Sequence, residues 1–164
     1  MKFHLVDRIE SLEPGQRIVT TKALSLAEEY LADHFPAFPV LPGVLMLEAL
    51  VEAGAWLVRQ QQGFAKSMVV LHRVRNVRYA SFVQPGETLR CQVQAKSIDA
   101  DGAKLVGTGS VGDRQTVSGK LELRCYNLAD RQGHLAGTDT ELIQQLQQRY
   151  KLIHGPEAME AAGV

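Results

Sequence analysis

One stretch of the chain is apolar on almost every side and contains no proline. It covers residues 44–62 and is rich in Ala, Leu, Met and Glu, which favour helices. The pattern predicts a helix of roughly five turns. Because a helix that is apolar all round is normally buried on every side, we expect this helix to lie in the centre of the molecule.

Segments rich in β-branched residues occupy much of the remaining chain and predict an antiparallel sheet. Turn sequences separate them, and those at residues 99–102 and 112–115 suit hairpins. The predicted strands cover residues 17–24, 67–79, 87–98, 104–111 and 116–126. A long buried helix packed against such a sheet gives an α+β fold.

The rise in polarity after Asn127 divides the chain into two predicted parts. Residues 1–128 form the main domain, and residues 129–164 form a C-terminal extension. The extension contains a predicted helix at 140–150, with Asp139 or Thr140 as its N-cap. We expect its last residues, 155–164, to be disordered. In the first part, a short helical turn is expected at residues 27–33.

Composition and charge argue against nucleic-acid and membrane partners. Lys and Arg together number 18, as do Asp and Glu, so the net charge is zero. The chain shows no signal-peptide pattern at its start, and its most apolar stretch is too short to span a bilayer. Its two cysteines, Cys91 and Cys125, are too few for a thiolate metal site or a disulfide framework. We therefore expect a cytoplasmic protein with buried free thiols and no metal.

A glycine pattern at residues 107–112 matches the GxGxxG fingerprint of dinucleotide-binding proteins. That function requires a helix directly after the glycines. Residues 113–117 predict a turn and another strand instead. We therefore expect no dinucleotide cofactor.

Two carboxyl groups stand out on the predicted helix. Glu48 has only apolar neighbours in the sequence, and burial of a carboxylate there is costly unless it is paired, neutralised or used. Glu52 follows one turn later, so at least one of the two pKa values should rise, as a general acid near neutral pH requires. The alternative interpretation is that Glu48 reaches an arginine or the solvent at the edge of the helix.

His34 begins a stiff loop that leads to the helix. Prolines at positions 36, 39 and 42 prevent a helix there. Histidine is the usual general base near pH 7, and a rigid loop suits a catalytic group, although a structural histidine among aromatic residues is the alternative. Gly43 would lie at the helix N-terminus, where free N–H groups can hold an oxyanion, or it would simply let the chain turn.

Residues 34–49 read HFPAFPVLPGVLMLEA and resemble the active-site segment HFPGxPxxPGVLxxEAMAQ of bacterial 3-hydroxyacyl-[acyl-carrier-protein] dehydratases of the beta-hydroxydecanoyl/beta-hydroxyacyl dehydratase group. His34 and Glu48 are 14 residues apart, as in the family motif. Residues 5–15 resemble the start of the family's domain, and residues 76–87 resemble its segment NVKFRRPVVPGD. The similarity covers residues 3–126.

The resemblance implies a hotdog fold, in which a curved antiparallel sheet wraps a long central helix and two subunits share a continuous sheet. It implies active sites at the dimer interface, with His34 from one subunit and Glu48 from the other. His34 would take the α-proton of a 3-hydroxyacyl thioester, and Glu48 would protonate the leaving hydroxyl or hold the water. The Gly43 N–H would polarise the thioester carbonyl.

The resemblance also assigns supporting residues and partners. The carbonyl of Val40 would orient the histidine ring, and Pro42 and Val44 would contact the substrate beside the acyl tunnel. No cofactor or metal is implied. The implied partners are an acyl thioester carried by acyl carrier protein or coenzyme A and a second copy of the chain, with a trimer of dimers as a further assembly.

Several positions depart from the family pattern and favour a specialised dehydratase. Ala37 and Asp33 replace glycines on either side of the HFP sequence, and Asp33 could orient His34 or raise its pKa. Glu52 replaces a glutamine and is, with Asp33, a candidate modulator. The sequence replaces the paired arginines and the proline of the family with Ala80, Ser81 and Phe82.

Two alternative functions remain compatible with the sequence. A non-catalytic homologue that binds acyl thioesters would explain the changes at Ala37 and Glu52. A thioesterase is the other alternative on a hotdog fold, although the motif matches the dehydratase branch. Since the isomerase branch usually has Asp where this chain has Glu48, we expect dehydration without isomerisation.

Overall fold

A six-stranded antiparallel sheet wraps one long helix in the computed structural model, which describes residues 3–154. The order of the strands across the sheet is β1-β2-β4-β5-β6-β3, and each pair of neighbours is antiparallel. The predicted α+β class is therefore confirmed. The strands are β1 (Arg8–Glu13), β2 (Arg17–Ala23), β3 (Met68–Tyr79), β4 (Thr88–Ile98), β5 (Gly102–Val111) and β6 (Arg114–Tyr126).

Helix α1 (Gly43–Gln61) is the predicted central helix and packs across the sheet. Its side chains Leu50, Trp56 and Leu57 are fully buried. Two glycines bring the helix close to the strands. A Cβ added at Gly54 would lie 2.5 Å from a methyl carbon of Leu105, and one added at Gly107 would lie 3.2 Å from Leu50. The bare backbone at these points therefore allows the close approach.

The N-terminal part of α1 is not covered in the single chain, so the expectation of burial on every side is wrong there. Val44 is 68% exposed, and Glu48 is also exposed, whereas residues 49–51 and 53–58 are buried. The sheet covers the later turns of the helix and leaves one side of its first turns open. The apolar pattern at the start of the helix therefore serves a surface rather than the core of one chain.

Strand β1 is absent from the sequence-based prediction, while the other strands lie within a few residues of their predicted bounds. β1 reads RIESLE, and Ile9 is its only buried residue. It pairs with β2 at one edge of the sheet, so most of its side chains meet water. An edge strand of this kind lacks the alternating apolar pattern that a half-buried strand shows.

The segment that follows β6 packs back against β1 and α1. Helix α2 (Ala136–His154) is longer than the predicted 140–150 and follows two short 3₁₀ helices at Leu128–Asp130 and Gly133–Leu135. Its Tyr150 ring lies 6.0 Å from that of Trp56 and 5.4 Å from that of Phe64, centroid to centroid. The predicted disorder at 155–164 lies outside the described residues.

Three further expectations concern smaller features. A 3₁₀ helix at Glu29–Ala32 confirms the short helical turn expected at residues 27–33. Cys91 and Cys125 are buried free thiols, as expected. Within residues 3–154, none of the helices combines the length and the apolar character that crossing a membrane requires.

Asp139 connects α2 to residues outside that helix through hydrogen bonds. Its buried carboxylate accepts hydrogen bonds from the Ser67 hydroxyl and, at 2.9 Å each, from the Leu128 and Ala129 N–H groups. Burial acts to raise the pKa of Asp139, but these hydrogen bonds outweigh it and lower the pKa. A lowered pKa in the folded state means that the ionised carboxyl stabilises the fold at neutral pH, and that this contribution is lost as the pH falls through that pKa.

Asp139→Asn should therefore unfold at a lower denaturant concentration than the wild type at pH 7. The difference should shrink as the pH is lowered below the ordinary range of an aspartate pKa and through the lowered pKa of Asp139, because the carboxyl then takes up a proton. Urea unfolding at several pH values would measure both effects. Glu141→Gln, which changes an exposed carboxyl on the same helix, is the matched control. A constant difference between Asp139→Asn and the wild type across this range would contradict the assignment.

Candidate active site

The loop that follows His34 fixes the orientation of its imidazole ring. Nδ1 lies 3.1 Å from the carbonyl oxygen of Val40, whose own N–H donates to the carbonyl of His34 at 3.0 Å. Phe35 and Phe38 exchange backbone hydrogen bonds across the turn, and the Phe35 ring stacks on the imidazole with centroids 4.2 Å apart. Since a carbonyl oxygen only accepts, Nδ1 of the neutral ring carries the proton and Nε2 keeps its lone pair. This is the tautomer that a general base at Nε2 requires.

Gly43 is the first residue of α1, as predicted, and lies against an aromatic ring. Its N–H precedes the first hydrogen-bonded turn and forms no hydrogen bond within residues 3–154. A Cβ at this position would lie 3.2 Å from Cε1 of Tyr79. Glycine therefore leaves a free donor at the positive end of the helix and makes room for the Tyr79 ring.

Glu48 lies in the second turn of α1 and points away from the sheet into solvent in the single chain. Partial burial among apolar neighbours raises its pKa, and the negative charge of Glu52 adds to the rise. No hydrogen bond or ion pair to the Glu48 carboxylate is formed by any residue between 3 and 154, so the single chain shows the alternative in which Glu48 reaches the solvent and not the one in which it pairs with an arginine. The structure also forms no direct contact between this carboxylate and His34 of the same chain.

Neither candidate modulator forms a hydrogen bond or an ion pair with the imidazole within residues 3–154. Asp33 is exposed and makes no hydrogen bond or ion pair with His34 in the part of the chain that the structure describes. Glu52 accepts a hydrogen bond from the Leu5 N–H at 2.8 Å and contacts Arg149 at 3.4 Å, so it is not hydrogen-bonded to Glu48. The expected influence of Asp33 on the ring has no contact to support it, whereas Glu52 acts on Glu48 through charge.

Exposed apolar side chains surround His34 and the start of α1. Pro42 is half-buried and Val44 is open to solvent. The rings of Phe38 and Phe82 meet edge to face with centroids 5.7 Å apart. Phe35 and Tyr79 are also largely exposed. An exposed apolar patch of this kind marks a binding surface, and here it adjoins the candidate general base and the free helix N-terminus.

A further residue, Arg114, braces the segment that supports this patch. Its guanidinium donates to the Ser81 hydroxyl, to the Phe82 carbonyl at 2.6 Å and to the Glu87 carboxylate at 2.7 Å. The same segment accepts the Leu41 N–H at its Val83 carbonyl, at 2.9 Å. Arg114 therefore holds residues 81–87 against the loop that carries His34.

The sequence does not reveal Arg114 or Tyr79 as site residues. Arg114 lies in a predicted hairpin turn, 33 residues from Ser81, so no local pattern joins the two. Tyr79 falls in the segment that resembles NVKFRRPVVPGD, and that resemblance is the one signal that could have selected it. Residues 3–154 contain no group of three or more His, Cys, Asp or Glu side chains arranged to hold a metal ion.

Comparison with known proteins gives the family. The model of the FabA-like domain matches residues 1–119. The chain belongs to the FabA-like domain family. The matched range contains the whole site described above and ends before α2, so Arg149 lies outside the FabA-like part of the chain.

Three curated relatives of this FabA-like domain share the name 3-hydroxyacyl-[acyl-carrier-protein] dehydratase FabZ. The protein from Clostridium kluyveri is 33% identical over 119 residues, which cover 73% of this chain and 83% of the relative. The protein from Chloroflexus aggregans is 38% identical over 119 residues, which cover 73% of this chain and 83% of the relative. The protein from Geobacillus thermodenitrificans is 38% identical over 122 residues, or 73% of this chain and 78% of the relative.

Solved structures confirm the predicted hotdog fold of the FabA-like domain. The dehydratase heterocomplex ApeI:P from Xenorhabdus doucetiae aligns with a TM-score of 0.64 at 20% identity, covering 87% of this chain and 89% of that chain. A conserved protein from Pseudomonas aeruginosa aligns with a TM-score of 0.55 at 14% identity, covering 72% of this chain and 86% of that chain. At these identities the likeness concerns the fold alone.

The tautomer of His34 can be measured directly. We expect long-range proton–nitrogen NMR spectra of the neutral ring to show the proton on Nδ1, because the Val40 carbonyl is its acceptor. His134 is exposed in a 3₁₀ helix. Its ring therefore serves as the internal reference for a histidine in contact with water. A His34 ring with its proton on Nε2 would show that the loop does not prepare a base.

Proposed function

We propose that the chain catalyses the reversible dehydration of a 3-hydroxyacyl thioester to the trans-2-enoyl thioester. The observation that carries the proposal is the His34 ring, held by Val40 with the lone pair of Nε2 free. The free Gly43 N–H and the unpaired carboxyl of Glu48 on the adjoining helix supply the other two groups that the reaction needs. Relatives that are 33% to 38% identical are named as dehydratases of this substrate class.

The reaction removes a proton from the α-carbon and a hydroxyl from the β-carbon. Nε2 of His34 takes the α-proton, and the electron pair moves toward the thioester carbonyl, whose oxygen the Gly43 N–H stabilises. The C–O bond at the β-carbon then breaks as Glu48 donates its proton, so that water leaves. The raised pKa of Glu48 favours the protonated form that this donation requires. Hydration runs through the same steps in reverse.

A second copy of the chain completes the proposed site. β3 is 12 residues long and forms the edge of the sheet opposite β1 in the described part of the chain. A second β3 at this edge would continue the sheet and cover the exposed start of α1. Since His34 does not contact Glu48 of its own chain, the proposed pair joins His34 of one copy to Glu48 of the other.

The proposed substrate is carried by an acyl carrier protein. Arg73 and Arg78 are exposed cations on β3 without ion-pair partners among residues 3–154, and they suit the phosphate of a phosphopantetheine arm. The relatives named for acyl-carrier-protein substrates support this carrier over coenzyme A. The proposed setting is the synthesis of fatty acids or related acyl chains in the cytoplasm.

The two alternative functions receive no specific support from the site. Glu52, one motive for a non-catalytic homologue, is held by Leu5 and Arg149 and so leaves the carboxyl of Glu48 free for chemistry. A thioesterase would need a water directed at the thioester carbonyl, whereas His34 and Glu48 suit proton exchange at the α-carbon and the β-hydroxyl.

His34→Ala and Glu48→Gln should each lower hydration of a trans-2-enoyl thioester by about 10²–10⁴-fold, because each removes one proton-transfer group. Loss of the conjugated enoyl absorbance gives the rate, and a thiol reagent in parallel detects hydrolysis. His134→Ala and Glu141→Gln make the same changes at exposed positions and should retain activity. A fully active His34→Ala variant would exclude this mechanism, and thiol release would indicate a thioesterase.

Mixing the two inactive variants tests whether the site joins two chains. After exchange of subunits, half of the dimers pair one variant with the other, and each mixed dimer has one site with both wild-type groups. The mixture should therefore recover about a quarter of the wild-type activity, if dimers form at random. Sedimentation should give a mass near twice 18.1 kDa. No recovery from a mixture that has exchanged subunits would place both groups in one chain.

A further inference from the structure

Glu52 lies one turn after Glu48 on the same face of α1. Oε2 of Glu52 accepts the Leu5 N–H at 2.8 Å, and Oε1 lies 3.4 Å from Nη2 of Arg149. The side chains of Glu52 and Arg149 are only 18% and 23% exposed. Each oxygen of Glu52 therefore has its own partner in a place that is largely shielded from water.

The position of Arg149 is fixed by its own helix. The guanidinium also donates to the carbonyl of Val6 at 3.3 Å, so it joins the N-terminal segment to α1. The next residue, Tyr150, packs between the rings of Trp56 and Phe64. Helix α2 thus carries one cation to a defined point beside α1.

We propose that Arg149 is a positioning residue for the reaction: by pairing with Glu52 it sets the charge that Glu48 experiences, and so sets the pH range in which Glu48 exchanges a proton with the substrate. This inference rests on the proposed function, in which Glu48 is the acid for dehydration and the base for hydration.

The pairing accounts for two features of this chain together. The family motif has a neutral glutamine where this chain has Glu52, and a neutral residue needs no counter-charge. The match to the FabA-like domain ends at residue 119, so Arg149 comes from the part of the chain beyond it. The charge of Glu52, one turn from the carboxyl of Glu48, is thereby balanced by a cation from α2.

The charges act on Glu48 in opposite directions. Burial raises the pKa of Glu48 first, and the negative charge of Glu52 raises it further. Removal of the Glu52 charge should therefore lower the pKa of Glu48. Removal of the Arg149 charge should raise it, because the charge of Glu52 is then uncompensated.

Two other titratable groups face Glu52 and remain the same in each variant. Burial lowers the pKa of Arg59 to about 10, against the pull of Glu52, so this side chain is a cation at neutral pH. Burial raises the pKa of Cys91, on β4, to about 12, with a smaller contribution from Glu52, so its thiol is neutral. Neither group changes its charge near neutral pH, so neither would move the limb of the pH profile that Glu48 sets.

The test is the pH dependence of kcat/KM for hydration in Glu52→Gln, Arg149→Gln and Arg149→Lys. Hydration needs ionised Glu48, so the rate falls as the pH drops through its pKa. We call this fall in rate the acidic limb of the profile. Its midpoint should lie at a pH lower by about half a unit in Glu52→Gln and higher by a similar amount in Arg149→Gln. Arg149→Lys keeps the charge and should restore the wild-type profile, which a merely structural role would not require.

The controls make the same chemical changes in an exposed ion pair, Arg90 with Glu10, whose Nε and Oε2 atoms are 2.8 Å apart. Glu10→Gln and Arg90→Gln should leave the acidic limb in place. Circular dichroism checks the fold of each variant, and if Glu52→Gln does not fold, the two Arg149 variants decide.

Acidic limbs that stay in place, or that move in the same direction in Glu52→Gln and Arg149→Gln, would overturn the inference. If the wild type is inactive, the proposed function fails on its own. NMR titration then measures the pKa of the Glu48 carboxyl directly in the folded wild type and variants. This pKa should be lower in Glu52→Gln and higher in Arg149→Gln than in the wild type.

Discussion

The burial of α1 against the curved sheet is the interaction on which the rest of the structure depends. Leu50, Trp56 and Leu57 are fully buried in this contact, and burial of each contributes about 2 kcal/mol relative to exposure. Gly54 leaves room for the side chain of Leu105 and Gly107 for that of Leu50, so the helix and the sheet approach closely. Because the later turns of α1 are fixed in this way, its first turns project from the sheet at a defined angle, with the free N–H groups and Glu48 at the surface.

The sequence predicts the parts of the fold that follow a regular apolar pattern, and the others arise from contacts between distant residues. The central helix, predicted at 44–62, is found at Gly43–Gln61 because no proline interrupts its apolar pattern. β1 has too few buried residues to show a pattern. α2 begins before the predicted cap, and Asp139 lies in its first turn and accepts hydrogen bonds from residues outside the helix that no local pattern indicates.

The candidate site likewise contains residues that the sequence pattern indicates and others that only contacts between distant residues bring together. Glu48 is visible in the sequence as a carboxyl among apolar residues, and His34 as the head of a proline-rich loop. The role of Val40 was accessible only through the resemblance, since nothing in the residue type suggests it. Arg149 lies 97 residues from Glu52, and their contact depends on how the whole C-terminal extension folds back. Long-range pairs of this kind leave no periodic signal in a single sequence.

The brace formed by Arg114 makes an exposed hairpin part of the architecture of the site. This arginine, at the tip of the β5–β6 hairpin, holds Phe82, whose ring touches Phe38 four residues after His34. A peptide or small molecule that bound this hairpin and drew Arg114 away would loosen the histidine loop without entering the substrate surface. An inhibitor designed against this hairpin would therefore act on the site without occupying it. Insertions in the hairpin would lower activity, although exposed hairpins usually tolerate insertions.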